Sequence, residues 1–581
     1  MRPVPSRKHH LAVLVILLVV VANTAITFQE KYIQDDQANL LVETISQRSP
    51  ELYRYDSVFS HQRGVNPWKI HLPGWGAILR AAQWLAGSKD PLDALRILGA
   101  FMLLLYLMSM YILLYRQSHS TTVAVLVALL SMSIFSTARP YWGMGPLFTV
   151  VPANLPLIFI PILAWGFVRW HRRWSILWVF FGIGLIANIH ASSAFYFAIV
   201  IILAMLFLDG GRLSTWVKAA LAIPLVAIGA SGAIWHYYHY LTFPELPTFR
   251  ELFALQASVA DVEVNSFYYF YPQVIIEILR WLPVAVMLAI PSVIILARQG
   301  RYRADNLDAW VWLLVAVLVI SIGGHLLWNL AGKKFPTLPA VNFFEAIRFA
   351  MLPLYVLLAQ AIVQLIRMSQ THRGWITSIL TILSLAFIGS SYNTLEIRRM
   401  VRDTIATISG KHALPHYLAQ RQREEELQRI ALWARRNTPS DSLFITDRAT
   451  FRLFARRSIT ASPADLPYWL YLAPYRLNQW TKLIVKQHKL LHSSQGSMDV
   501  PEILKFIHTY LTVKDISSSL ISTTFKSDNP RGIYLLIRTT SAPKSTRDLK
   551  EIPPPNNQWG QYWRIFRVEQ KDGFTSLKGS L

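Results

Sequence analysis

Residues 11–28 read LAVLVILLVVVANTAITF, a continuous apolar run without a charged side chain. A run of about 17–25 apolar residues is long enough to cross the roughly 30 Å hydrocarbon core of a bilayer as an α-helix. Comparable runs follow near residues 95–115, 121–138, 147–168, 174–189, 193–208, 216–236, 273–297, 309–330, 344–366 and 375–392. Because these runs are continuous rather than alternating, they predict helices and not barrel strands. The expected fold class is an α-helical polytopic membrane protein with about 11 transmembrane helices.

The composition agrees with a membrane protein and excludes several kinds of chemistry. Of the 581 residues, 53% are hydrophobic, and none is cysteine. Disulfides, a thiolate nucleophile and a Cys-ligated zinc are therefore excluded. Arg7 and Lys8 before the first apolar run are also typical of a secretory signal. We interpret the run instead as an uncleaved first span, because it is long and further spans follow.

The basic loops give an expected orientation. If the spans alternate, the basic residues near 116, 169–173, 212–218, 298–303 and 367–373 all lie on the side of the N-terminus. Since cytoplasmic loops are enriched in Lys and Arg, we expect the N-terminus in the cytoplasm. The 29–94 loop, the aromatic 237–272 loop and residues 393–581 then lie outside.

After residue 392 the apolar runs shorten and charged and turn residues become frequent. We therefore expect two domains, a transmembrane bundle over 1–392 and a small extracytoplasmic α/β domain over 393–581. The patterns predict helices over Glu424–Arg436 and Phe451–Arg457, and strands over Ser442–Thr446, Gly532–Arg538 and Trp563–Val568. The glutamates at 424–426 are interpreted as a solvated helix face.

The charge balance indicates the kind of partner. The formal net charge is +24, and the tail after residue 392 carries much of it. A basic extracytoplasmic segment is suited to anionic lipid headgroups or phosphorylated glycans. Nucleic acid is not expected, because the predicted topology keeps this tail out of the cytosol.

Two adjacent carboxylates, Asp35 and Asp36, come a few residues after the first span. A carboxylate at the rim of a helical bundle is costly without a partner or water, so it is a functional candidate. The alternative is a solvated acidic cap beyond the helix end. The same loop holds His61 and His71, which are candidate metal ligands or proton carriers. Residues 73–86 have apolar positions at helical spacing and predict an amphipathic interfacial helix.

Cations are expected at the outer ends of the spans, namely Arg63, Arg139, Lys333, Lys334 and Arg348. Arg348 lies about one turn inside a span, where insertion of an arginine costs on the order of 2.5–3.5 kcal/mol. Glu345, three residues earlier, is one expected partner. A lipid phosphate is the other.

Asn188-Ile189-His190-Ala191-Ser192-Ser193 is expected at an outer turn between two spans. One interpretation is a broken helix whose polar groups face a cavity. The other, which we favour, is a capping turn.

The layout resembles the GT-C glycosyltransferases, integral membrane enzymes that use polyprenyl-phosphate-linked sugars. Asp35 and Asp36 carry the resemblance, together with the long first outer loop, the span number and the outer C-terminal domain. Residues 433–444 are also similar to a segment of bacterial multi-span proteins of this layout, in which a helix ends in Asn-Thr-Pro before a strand. The resemblance implies that Asp35 or Asp36 acts as a base or binds a divalent metal such as Mg²⁺ or Mn²⁺. No nucleotide or organic cofactor is expected.

The expected function is sugar transfer from a polyprenyl-phosphate donor to a lipid or glycan acceptor at the outer face of a bacterial inner membrane. Its expected catalytic residues are Asp35 and Asp36. The expected substrate-binding residues are His61, Arg63, His71, Arg139, His190 and Arg348. The alternatives are a transporter or flippase of lipid-linked or glycan substrates, and a non-catalytic envelope assembly protein.

Overall fold

The computed structural model describes residues 7–29, 33, 35–60, 72–88, 90–133, 142–240, 307–327, 343–368, 417–466, 468–469, 477–492, 500–512, 530–539, 542, 549–555 and 559–569. The spans expected near 273–297 and 375–392 lie outside these residues, and so does the aromatic loop from residue 241 onward.

The described α-helices are α1 (Arg7–Gln29), α2 (Asp35–Arg48), α3 (Pro73–Ala86), α4 (Pro91–Ser118), α5 (Thr121–Leu130), α6 (Ile160–Trp170), α7 (Ile176–Ala187), α8 (Ala191–Asp209), α9 (Leu213–Gly229), α10 (Ser231–Tyr240), α11 (Leu307–Leu318), α12 (Met351–Met368), α13 (Tyr417–Asn437), α14 (Ala449–Ala455), α15 (Leu477–Leu491) and α16 (Val500–Thr512). The strands are β1 (Leu443–Ile445), β2 (Ser458–Ile459), β3 (Ile533–Arg538), β4 (Leu549–Glu551) and β5 (Trp563–Val568).

Within the described residues, five helical stretches are long and apolar enough to cross a membrane. They are Arg7–Phe28, Pro91–Ser118, Ala191–Asp209, Leu307–Leu327 and Phe343–Arg367. The pair α9 and α10 makes a sixth if its two parts form one bent span. The chain is therefore a mostly helical membrane protein. The larger number of about 11 spans remains a prediction.

Prolines explain why the span expected over 147–168 is only partly α-helical. Leu147–Thr149 and Leu155–Ile158 form short 3₁₀ turns, and the α-helix begins only at Ile160. Pro146 precedes the first turn, and Pro156 lies inside the second. Because proline lacks a backbone N–H and restricts the residue before it, a continuous helix cannot pass through this stretch without losing hydrogen bonds.

Helices α9 and α10 are bent by 66° at their junction, and Asn188 supports the bend from the end of α7. Its side-chain amide donates to the carbonyl of Gly229 at 2.8 Å, and its Oδ1 accepts from the N–H of Ala233 at 2.8 Å. A break in an apolar helix exposes backbone groups that need partners within the protein. Asn188 supplies both a donor and an acceptor at that point.

The C-terminal part contains a five-stranded sheet in the order β2-β1-β3-β5-β4. β1 is parallel to β2 and β3, whereas β5 is antiparallel to β3 and β4. Strand β5 covers the predicted residues, and β1 and β3 lie within the predicted stretches.

One expectation about the C-terminal part is wrong. Glu426 is not on a solvated face, because it is 2% exposed and accepts hydrogen bonds from the N–H groups of Gly560, Tyr562 and Trp563. The carboxylate thereby joins α13 to the start of β5.

The first outer loop packs against the C-terminal sheet rather than standing alone. The N–H of Tyr55 donates to Ser458 Oγ at 3.1 Å, and the N–H of Ile459 donates to Asp56 Oδ2 at 3.1 Å. The hydroxyl of Tyr510 donates to the carbonyl of Tyr55 at 2.7 Å. Tyr55 and Asp56 therefore hold the first outer loop to the C-terminal part.

Candidate functional site

Arg348 lies on the 3₁₀ helix Phe343–Ala350, which precedes α12. Side chains three residues apart eclipse one another in this kind of helix. Glu345 Oε2 accordingly lies 3.4 Å from Arg348 Nη2. The arginine side chain is 4% exposed and the glutamate 23% exposed, so the pair reaches solvent only through Glu345. Glu345, one of the two expected partners of Arg348, is therefore in contact with it.

Two neutral groups also contact this guanidinium. Nη2 donates to Ser193 Oγ at 3.1 Å, and Nη1 donates to the carbonyl of Ala153 at 3.2 Å. Ser193 Oγ is in turn 2.8 Å from His190 Nδ1. Arg348 and His190, which the sequence singled out separately, are thus joined through one serine. Ser193 was not expected to be a site residue, and nothing in its local sequence distinguishes it from the serine before it.

His190 is the N-cap of α8, which identifies residues 188–193 as a capping turn. The N–H of Ser193 points to His190 Nδ1 at 3.3 Å, so Nδ1 acts as an acceptor there. An imidazole nitrogen that accepts carries no proton, which places the ring proton on Nε2. The hydroxyl of Ser193 then donates to Nδ1 and accepts from Arg348. The result is a directed chain of hydrogen bonds from the guanidinium to the imidazole.

This cluster is suited to an anion. The N-terminal end of a helix carries a partial positive charge, and α8 begins directly beside His190. A guanidinium, an imidazole N–H and this helix end are all donors or positive charges. We name the group of Arg348, Ser193, His190 and Glu345 the arginine cluster.

A short segment connects the arginine cluster to the start of α2. The side-chain amide of Gln37 donates to the carbonyls of Leu147 at 2.7 Å and Val150 at 3.1 Å. Arg348 donates to the carbonyl of Ala153 in the same segment. Val150 and Ala153 are three residues apart, and three residues of extended chain span at most about 11 Å. The contact of Gln37 with Val150 and the contact of Arg348 with Ala153 therefore lie close together.

The structure positions the other expected site residues only in part. Asp35 begins α2 and Asp36 follows it, but their side chains lie outside the described part of the chain. The remaining expected residues outside it are His61, Arg63, His71, Arg139, Lys333 and Lys334. Their expected roles stay predictions.

A second buried arginine, Arg452, joins the first outer loop to the C-terminal part. Its two Nη atoms bind both carboxylate oxygens of Asp465, at 2.9 and 2.8 Å, and its Nε lies 2.8 Å from Asp56 Oδ2. Nη1 also donates to Asn39 Oδ1 at 2.9 Å, and the guanidinium lies 4.9 Å from the ring centre of Phe59. We name these residues the Arg452 network.

The Arg452 network is a fully buried ionic group. Burial acts to lower the pKa of Arg452, but the charges of Asp465 and Asp56 outweigh it and raise that pKa above its usual value. The guanidinium therefore stays charged. The sequence did not reveal this network, because its members are separated by up to 426 positions.

Among the described residues, one group has the composition and spacing of a metal site. Asp447, His488 and His492 each offer one ligand atom, and these atoms lie within 4.8 Å of one another. A divalent metal was expected at Asp35 and Asp36 instead, and the described side chains do not bear on that expectation.

Comparisons with known proteins give limited matches. Residues 425–469, which include Arg452 and Asp465, match the family described as a domain of unknown function, DUF6798. A search of the curated proteins gives no match. Among solved structures, the chain is similar to the oligosaccharyltransferase of Archaeoglobus fulgidus, whose crystal structure is a complex with Zn and sulfate. The identity is 12% and the TM-score 0.42, with 78% of this chain and 62% of that chain covered. The chain thus spans less than two thirds of the length of that protein.

Proposed function

We propose that the chain is a membrane glycosyltransferase that moves a sugar from a polyprenyl-phosphate donor to a lipid or cell-surface glycan acceptor. It would act at the outer face of a bacterial inner membrane, with the N-terminus in the cytoplasm and residues 393–581 outside. Asp35 or Asp36 serves as the base or as a ligand of Mg²⁺ or Mn²⁺. The arginine cluster receives the phosphate of the donor.

One observation carries this proposal, namely the shared segment 147–153. It contacts Gln37, two positions after Asp35, and it also contacts Arg348. A transferase of this kind needs a carboxylate near the acceptor hydroxyl and cationic groups near the departing phosphate. The segment supports both requirements, because it brings the beginning of α2 and the arginine cluster to one region.

The negative charge that develops during the reaction suits these cationic and hydrogen-bond-donating groups. When the bond between the sugar and the polyprenyl phosphate breaks, negative charge develops on the phosphate oxygens. The Arg348 guanidinium, the Nε2–H of His190 and the positive end of α8 stabilise that charge. A carboxylate of Asp35 or Asp36 accepts the proton of the acceptor hydroxyl as it attacks. In this proposal Arg63, Arg139, His61 and His71 bind substrate from the outer loops.

The test uses the purified chain in lipid nanodiscs with polyprenyl-phosphate-linked hexoses and pentoses as donors. Release of free polyprenyl phosphate is measured with membrane lipid and glycan extracts as acceptors. The double variant Asp35→Asn/Asp36→Asn should abolish release, because neither amide accepts the proton of the hydroxyl at neutral pH. Unchanged release in a well-folded double variant would overturn the assignment.

Asp90→Asn is the matched control for charge loss in the same outer loop. Asp90 is exposed and caps α4 by accepting from the N–H of Leu92 at 2.9 Å. Because asparagine caps helices as well as aspartate does, this variant removes one charge with little structural change. It should retain full activity.

The bend between α9 and α10 favours a second candidate function, a transporter or flippase of lipid-linked or glycan substrates. Transporters commonly contain discontinuous helices near their substrate sites. The 66° bend, supported by Asn188, has that form. Movement of a labelled polyprenyl-phosphate sugar across proteoliposomes, without cleavage of the sugar, would favour this candidate over the transferase.

A further inference from the structure

Asp447, His488 and His492 form a cluster in the C-terminal part, away from the arginine cluster. His488 lies in the last turn of α15, and His492 directly follows its last residue. The N–H of His492 donates to the carbonyl of His488 at 2.9 Å, so the helical path continues and the two side chains share one face. Asp447 follows β1, and its Oδ2 lies 3.0 Å from His492 Nε2. The two imidazole rings are stacked, with centroids 4.2 Å apart. We propose that these three residues bind a divalent transition metal ion of the Zn²⁺ type.

The donor set fits such an ion better than it fits magnesium or calcium. Imidazole nitrogen is a common ligand of Zn²⁺ and related metals, whereas Mg²⁺ and Ca²⁺ prefer oxygen ligands. Metal–ligand distances of about 2.0–2.2 Å place tetrahedral ligands roughly 3–3.5 Å apart. The contact between His492 and Asp447 already has this spacing. A small movement of the His488 ring completes the set.

A buried glutamine holds the two ligand-bearing segments together. Gln487 directly precedes His488, and Thr446 directly precedes Asp447. The amide of Gln487 donates to the carbonyl of Thr446 at 3.0 Å and to the carbonyl of Ala461 at 2.8 Å. Because Gln487 is fully buried, these bonds fix the end of α15 against the loop after β1. The ligands are therefore positioned before any ion binds.

The place of the cluster in the sheet also favours a ligand site. Asp447 lies just beyond the carboxyl end of β1, the middle strand of the parallel set β2-β1-β3. The chain leaves β1 toward β2 on one side and later returns to β3 on the other. In open sheets with parallel strands, ligands commonly bind outside the carboxyl ends of the strands. Asp447 has that position.

The surrounding charges indicate what completes the coordination. Three protein ligands leave a position open for water or for another ligand. Arg448 Nε lies 3.5 Å from Asp447 Oδ1, and the side chains of Asp447 and His492 are partly exposed. A metal beside Arg448 favours an anionic fourth ligand, such as a carboxylate or phosphate group.

Metal analysis of the full chain in nanodiscs tests this inference. The protein is stripped with a chelator, reloaded with Zn²⁺ and washed, and the bound metal is counted by mass spectrometry while affinity is measured by calorimetry. We expect one Zn²⁺ per chain at this site. His488→Ala and Asp447→Asn should each lower the Zn²⁺ affinity roughly a hundredfold or more, because each removes a ligand.

Two variants are used so that a folding defect in one leaves the test intact, and circular dichroism checks both. His119→Asn is the matched control, since it removes an exposed imidazole from a left-handed position that asparagine tolerates. It should bind Zn²⁺ as the original chain does. Wild-type affinity in folded His488→Ala and Asp447→Asn, or no stoichiometric Zn²⁺ in the original chain, would overturn the inference.

This result is independent of the proposed function. Binding of Mg²⁺ or Mn²⁺ at Asp35 and Asp36 would persist in His488→Ala and disappear in Asp35→Asn/Asp36→Asn. Loss of sugar transfer with normal Zn²⁺ binding in Asp35→Asn/Asp36→Asn would support the transferase proposal and leave the metal site untouched. Loss of Zn²⁺ binding in His488→Ala or Asp447→Asn would support the metal site and leave the transferase proposal untouched.

Discussion

Arg348 and Arg452 are both buried, yet their surroundings differ in kind. Arg452 is bound by two carboxylates, an amide and an aromatic ring, and the side chains of Arg452, Asp56 and Asp465 have no exposed surface. Arg348 has neutral partners in Ser193 and Ala153, and its described carboxylate partner is partly exposed and farther away. The Arg452 network is closed to solvent, whereas the surroundings of Arg348 are partly exposed at Glu345.

This difference separates a structural ion group from a candidate binding group. A buried charge with matched partners on every side cannot exchange any of them for a ligand without a large cost. A phosphate that approaches Arg348 beside a partly exposed carboxylate has less buried charge to displace than one that approaches Arg452. We therefore infer that Arg452 holds the first outer loop to the C-terminal part, while Arg348 serves the substrate.

The largest effect is expected from Arg452→Leu. Removal of the guanidinium leaves Asp56 and Asp465 buried without their counter-charge, which costs about 3–5 kcal/mol. The free energy of unfolding of the C-terminal part should fall by that amount in chemical denaturation, and protease should cleave the first outer loop sooner.

Arg531→Ala is the control for this variant. Arg531 also pairs with an aspartate, Asp441 at 3.0 Å, but its side chain is 76% exposed. Exposed pairs contribute less than about 1 kcal/mol, so the unfolding midpoint should barely move. Equal losses of unfolding free energy in Arg452→Leu and Arg531→Ala would show that burial does not determine how much the Arg452 network stabilises the protein.

The next effect is expected from Arg348→Gln, and it should appear in activity more than in stability. If the guanidinium stabilises the departing phosphate, release of polyprenyl phosphate should fall about 100-fold. Stability should fall less than in Arg452→Leu, since Glu345 is within reach of water.

Arg367→Gln supplies the matched charge loss at the exposed opposite end of the same helical stretch. It should leave sugar transfer unchanged. A large stability loss in Arg348→Gln together with normal transfer would place Arg348 in the same structural class as Arg452 and remove the contrast.

A smaller effect is expected from Glu426→Gln, which tests whether other closed groups in the C-terminal part behave like the Arg452 network. The Glu426 carboxylate accepts from three backbone N–H groups. Hydrogen bonds to a charged acceptor contribute about 1.5–3 kcal/mol, so the neutral amide should lower the free energy of unfolding by part of that amount. Thermal unfolding at neutral pH measures the change.

Glu424→Gln, two positions earlier on α13, is the control and should act in the opposite direction. Burial raises the pKa of Glu424 above its usual 4.5. A raised carboxyl pKa stabilises the native state below the unfolded value, and this contribution is lost as pH rises through the folded value. The glutamine should therefore increase stability at pH 7, with a gain that disappears below about pH 4. A loss of stability at pH 7 would contradict this account.

Local patterns anticipated the features that depend on neighbouring residues. The apolar spacing of residues 73–86 predicted α3 with its observed bounds, and the alternation near 563–568 predicted β5. The spacing of Glu345 and Arg348 gave their pairing as one of two alternatives, beside a lipid phosphate, and the structure contains that pair. The 3₁₀ form of the helix was not predicted.

Features that depend on distant residues were missed or misjudged. A run of three glutamates is usually solvated, and nothing near Glu426 indicates that residues 560–563 supply its donors. Helix α15 was not predicted, so the alignment of His488 and His492 with Asp447 was not visible. A missed helix therefore concealed a candidate metal site.

Apolar run length and periodicity are enough to identify a helical membrane protein with a smaller sheet-containing part, because both follow directly from helix and strand geometry. Which buried arginine is enclosed, and which lies beside a partly exposed carboxylate, depends on how distant segments pack. The partners of a buried charge come from segments that are far apart in the chain. Asn39, Asp56 and Asp465 meet at Arg452, and Ser193 meets Arg348, only after the segments have packed.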